Sequence, residues 1–140
     1  MTAIAEAEAA PKQYRYAVTA LPQVIAGMRR IVGAYVQMWG FGQLAEDTAL
    51  CASELLSNVV KHAGSPECVV TLERRAGGVR VTVSDTSRVL PVVREPDWTA
   101  EGGRGLVVVR GAADAWGAEP TATGKDVWIE IRAASGAGGA

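Results

Sequence analysis

Two periods of apolar residues divide this chain into elements. Gln13–Ala20 alternates, with Tyr14, Tyr16 and Val18 on one side, which predicts a strand. From Leu21 and Pro22 the spacing changes. Val24, Ile25, Met28, Ile31, Val32, Tyr35 and Val36 recur at helical spacing, predicting a helix to about Trp39. Pro22 stands near its first position, where a missing N–H costs least, and Gly40 and Gly42 end it. A second helix is predicted over Gln43–Ala63, stopping at Gly64-Ser65-Pro66. Cys68–Arg74 and Val79–Ser84 read as a hairpin turning around Gly77 and Gly78. Thr86–Gly103 contains Pro91 and Pro96 and follows no period. A loop of that length inside a domain is uncommon and often serves as a lid. A short helix over about Arg104–Ala113 and two strands, Ala115–Glu119 and Asp126–Arg132, complete the pattern.

This order, β-α-α-β-β-lid-α-β-β, predicts an α+β fold: a two-layer sandwich of a mostly antiparallel mixed sheet with helices on one face. Residues 1–12, Ala/Glu-rich and reaching Pro11, read as a flexible arm, and residues 133–140 as a flexible tail. Residues 13–132 are then the folded domain.

Composition narrows the partners. The 140 residues suffice to bury a real core, and a formal net charge of −1 lacks the basic surface expected of a nucleic-acid binder. No apolar run approaches the roughly 18 residues of a membrane span, and Met1–Ala10 shows no signal-peptide pattern, so a cytoplasmic protein is expected. Cys51 falls in a predicted helix and Cys68 in a predicted strand, without metal-type spacing, which suggests reduced thiols.

Candidate chemistry lies in two places. On the second helix Ala45, Ala49, Ala52, Leu55, Leu56, Val59 and Ala63 share one side, while Asp47, Glu54, Asn58 and Lys61 fall within about 60° on the other. Glu54 and Asn58 are one turn apart and lie side by side. Any amphipathic helix has a polar face, but Asn has poor helix propensity, so its presence in mid-helix needs a reason. Binding Mg²⁺ through its amide oxygen is one, with Glu54 able to accept a proton from an attacking hydroxyl or water. His62, at the helix end, suits a partner for the last carbonyls.

The second place is Gly102-Gly103-Arg104-Gly105, which opens into Leu106-Val-Val-Val109. Glycines before a helix let phosphate approach the backbone, where unpaired N–H groups are available. It is not a Walker motif, because no Gly-Lys-Ser/Thr follows. Asp85 ends a β-rich run where the lid begins. It can accept a hydrogen bond from an exocyclic amine such as that of adenine, or serve as a turn residue.

Glu54-x-x-x-Asn58-x-x-x-His62, Asp85 with the following lid, Gly102-Gly-Arg-Gly105-Leu106 and Gly124-Lys-Asp-Val-Trp128 stand in the order of the N, G1, G2 and closing-strand motifs of the GHKL ATPase superfamily. The short form resembles the anti-sigma regulatory factors, serine/threonine kinases of the actinomycete type. The resemblance covers about residues 13–132. It implies ATP and Mg²⁺ as cofactors, with Glu54 as general base, Asn58 as metal ligand and Asp85 as adenine reader. It places Gly103, Arg104, Gly105 and Leu106 at the nucleotide. It also implies two protein partners, an RNA polymerase sigma factor and an anti-anti-sigma antagonist phosphorylated on Ser or Thr, and it allows a homodimer. Two positions depart from the pattern. Ser87 stands where the G1 motif has Gly, and Asp126 where many relatives carry Thr or Ser near the adenine. These favour a second reading, a non-catalytic binding module that keeps the fold. A sensor histidine kinase fragment fits less well, because no phosphoacceptor hairpin precedes the domain and His62 is the sole histidine.

Overall fold

The strands predicted from alternation and the two helices predicted from spacing all form. The structure, a computed structural model, describes residues 11–87 and 111–134. The elements are β1 (Gln13–Thr19), α1 (Pro22–Met38), a 3₁₀ turn (Gly42–Leu44), α2 (Ala45–His62), β2 (Glu67–Arg75), β3 (Gly78–Asp85), β4 (Ala115–Pro120) and β5 (Lys125–Arg132). The first turn of the expected second helix is therefore 3₁₀, and the α-helix starts at Ala45. Thr86 and Ser87 begin the expected lid, and Gly111 and Ala112 are helical. The rest of that lid and of the expected helix lies outside the described residues.

The five strands form one sheet in the order β1-β2-β3-β5-β4, and every pairing is antiparallel. Alternation decides what each face carries. Cys68, Val70 and Leu72 of β2, Val79, Val81 and Val83 of β3, and Val127, Ile129 and Ile131 of β5 are all buried. They meet Met28, Val32 and Val36 of α1 and Ala52, Leu55, Leu56 and Val59 of α2 in one core. Burying a side chain of this kind contributes about 1.5–3 kcal/mol, so Leu56, with no exposed surface, is a residue whose truncation to Ala costs about 2–5 kcal/mol. The opposite face carries Arg80, Thr82, Ser84, Asp126, Trp128 and Glu130. There the Arg80 guanidinium lies 4.1 Å from the Trp128 ring centroid and pairs with Glu130 at 2.9 Å. Burial works against the Glu130 charge, but Arg80 and Arg132 outweigh it and hold the carboxyl below its ordinary value.

Local chemistry sets the helix limits. Pro22 sits in the first turn of α1, and Gly40 adopts φ 90° just beyond its end, a conformation that L side chains rarely take. Glu46 and Asp47 place negative charge on the first turn of α2, where the helix dipole favours it. Thr48, fully buried, satisfies its hydroxyl by donating to the Leu44 carbonyl at 2.7 Å. Tyr14 stacks on Tyr35 with ring centroids 4.0 Å apart, which fastens β1 to α1. α2 is the helix that packs on β3 and β5.

Candidate nucleotide site

Glu54 and Asn58 both sit half-buried on α2, with Leu55, Leu56 and Val59 turned into the core beside them. The side chains flanking this pair on the polar stripe, Asp47 and Lys61, are exposed. Among the described residues neither Glu54 nor Asn58 has a side-chain hydrogen bond or ion pair. The helix thus offers a carboxylate and an amide one turn apart and uncommitted. The Asn58 amide oxygen suits Mg²⁺, which takes few protein ligands and completes its shell with water and phosphate, and the Glu54 carboxylate beside it can accept a proton. Among the described residues no group of three or more His, Cys, Asp or Glu side chains is placed to hold a metal ion.

Cys51 lies one turn before Leu55 on the inner side of α2. Burial pushes its thiol up to about 12, and the charges of Asp47 and Glu54 add to that. Burial likewise raises Cys68 to about 11, with Asp85 and Glu67 contributing. Both residues are free, buried thiols, and protonated at neutral pH they are poor nucleophiles.

Asp85 closes the row Val79, Val81, Val83 on the helix-facing side of β3 and is buried. A buried carboxylate is costly unless paired, and this one is paired twice. Lys125 places its Nζ 2.9 Å from Oδ2 and 3.1 Å from Oδ1, and the side chains of the pair are 6% and 3% exposed. The Ser87 backbone N–H donates to Oδ1 at 2.8 Å. Register enforces the meeting, because Lys125, the first residue of β5, is the direct partner of Asp85 at the end of β3. Gly124 makes the approach possible. A Cβ there would lie 1.8 Å from the Asp85 carbonyl oxygen and 2.6 Å from the Thr86 Cα, so only glycine fits.

These contacts revise the weight of both sequence departures. Ser87 contributes its backbone N–H, which glycine would supply equally, so the change from Gly does not remove this contact. Asp126 is not on the site side of the sheet. It pairs with Ser84 and Glu119 on the face away from the helices, whereas its neighbour Lys125 points inward with Val127 and Ile129. Lys125 is the residue the sequence reading passed over. The alternation of Val127, Ile129 and Ile131 was the signal, since it puts position 125 on the apolar face. The glycine segment with Gly103, Arg104, Gly105 and Leu106 lies outside the described residues. An open cleft lined by Arg75, Gly78, Val79, Ile131 and Arg132 sits at the opposite end of β3 and β5 from Asp85.

Residues 18–131 match the family model for the histidine kinase-like ATPase domain. The chain belongs to that family, and so to the GHKL superfamily. The α+β architecture, with its antiparallel sheet and two helices, is consistent with that fold. Membership implies ATP binding and ATP-dependent kinase or ATPase chemistry. No curated protein sequence matches the chain. Among the described residues no helix is long and apolar enough to cross a membrane.

Proposed function

We propose that the chain is an ATP-binding anti-sigma regulatory factor with serine/threonine kinase activity, which sequesters a sigma factor and phosphorylates an anti-anti-sigma antagonist. The observation that carries the reading is the uncommitted Glu54–Asn58 pair on the helix that packs over β3 and β5. In this reading the Asn58 amide oxygen holds Mg²⁺, and Asp85 accepts from the adenine amine. The Glu54 carboxylate takes the proton of the antagonist's Ser or Thr hydroxyl as that oxygen attacks. Bound ATP would supply the γ-phosphoryl group, with ADP as the leaving group once the β,γ P–O bond breaks, and Mg²⁺ would offset the phosphate charge. The protein's share of the chemistry is then positioning and a base, the usual division in phosphoryl transfer.

One observation favours the second reading, a partner-binding module without turnover: the carboxylate assigned to adenine is already held by Lys125. Transfer of radiolabel from γ-labelled Mg-ATP to a candidate antagonist separates the two. The kinase reading expects transfer by the wild type and a loss of roughly 10²–10⁴-fold in Glu54→Ala, with ATP affinity little changed. Transfer that persists undiminished in the variant removes Glu54 from the role of base. An absence of wild-type transfer, with nucleotide and partner both bound, favours the module.

A further inference from the structure

The Asp85–Lys125 pair has a consequence for any base that would use the same carboxylate. We propose that Lys125 is a specificity-determining residue that bars the base position: its ammonium occupies the Asp85 oxygens that an adenine amine needs, so ATP enters only as Lys125 leaves. The proposal rests on the reading of Asp85 as the adenine contact. A carboxylate accepts through two oxygens with about four lone-pair sites. The Asp85 side chain is only 3% exposed, so the remaining sites are closed to a base while the ammonium stays in place. Here Oδ2 is taken by Nζ at 2.9 Å, and Oδ1 is shared between Nζ at 3.1 Å and the Ser87 N–H at 2.8 Å. The lysine therefore sits across both oxygens.

Exchange of the two donors is unequal. An ammonium–carboxylate bond joins two opposite charges, whereas a bond from the neutral amine of adenine to the same carboxylate is charge-assisted on the acceptor side alone. The four-carbon stem of lysine is flexible enough to carry the ammonium out to water, but the strand register holds its Cα opposite Asp85. The cation thus stays within reach and competes at high effective concentration. A purine with a carbonyl at the same edge accepts from Lys125 instead of displacing it. The wild-type preference for ATP over GTP is narrowed accordingly.

Two measurements test this. ATP and GTP titrations compare wild type with Lys125→Met, where the expected result is ATP binding at least about tenfold tighter in the variant and a wider ATP-over-GTP preference. The second uses the unaltered protein. Its three lysines are Lys12, Lys61 and Lys125, of which the first two are exposed. Brief acetylation followed by mass spectrometry should leave Lys125 protected in the free protein and label it once ATP binds, with Lys12 and Lys61 as internal controls. This arm stands even where Lys125→Met does not fold. Equal or weaker ATP binding by a folded Lys125→Met, or Lys125 as protected with ATP as without it, overturns the barrier and leaves the ATP site standing. Failure of the folded wild type to bind ATP at all overturns both.

Discussion

Glu54–Asn58 and Asp85–Lys125 are two polar pairs on the same side of the sheet, and they have opposite status. The first is half-buried on a helix and makes no side-chain hydrogen bond or ion pair among the described residues. The second is buried at a strand end and satisfied from within. The difference follows from burial. A carboxylate near water can wait for a ligand at little cost, whereas a desolvated one must be paired in every state. Polar residues that wait can be removed with small effect on the fold. Those that are already paired cannot.

The largest effect expected from this contrast is that of Asp85→Ala. It removes the counterion of the Lys125 ammonium, which must then stay buried unpaired or swing out to water and give up its packing, a cost of up to about 3–5 kcal/mol and a fall in melting temperature of up to roughly 10 °C. Thermal unfolding of the variant measures it, and a melting point unchanged from wild type would show that the pair does not matter to the folded state.

Mg-ATP at a hundred times its Kd should add about 2.7 kcal/mol to stability, a rise of several degrees in the melting temperature. A flat response across millimolar ATP with Mg²⁺ present would remove nucleotide from the Glu54–Asn58 side of the comparison.

Each pair has its own thiol, Cys51 near Glu54 and Cys68 near Asp85, and both titrate high, at about 12 and 11 against an ordinary 9.0. The native state then keeps protons that the unfolded chain releases, so the stability these thiols contribute is fully present below pH 9 and is lost as pH rises toward the folded values. At pH 10 the loss is on the order of 1 kcal/mol for each thiol. Urea unfolding at pH 8 and pH 10 tests this, and equal midpoints would contradict it.

Asn58→Ala should have the smallest effect on the fold, within about 0.5 kcal/mol, while abolishing the Mg²⁺ dependence of nucleotide binding. Loss of structure by circular dichroism would show that Asn58 is held by the fold after all.

Most of the fold was legible because each element carries one period cleanly. The row Val79, Val81, Val83 and the α1 set Met28, Val32, Val36 each commit to a face. The 3₁₀ start at Gly42–Leu44 was not legible, since a single turn of 3₁₀ and of α-helix give nearly the same spacing. The placement of Glu54 and Asn58 side by side on the polar stripe of α2 was readable from helix geometry alone. Residue type alone does not mark Lys125, because its meeting with Asp85 depends on a register between strands forty residues apart.

That separation also bears on how the chain reaches its native state. β2 and β3 are joined by two residues, Ala76 and Gly77, and β4 and β5 by another short turn, so both hairpins can close early. Joining them means pairing β3 with β5, which closes a loop whose entropy cost grows with length and which slows folding. During synthesis the amino-terminal elements emerge first, and until β5 docks, Asp85 ends a strand at the sheet's open edge without its cation. The ion pair can form only when the two hairpins join, so in this topology the Asp85 carboxylate gains its cation as the sheet is completed.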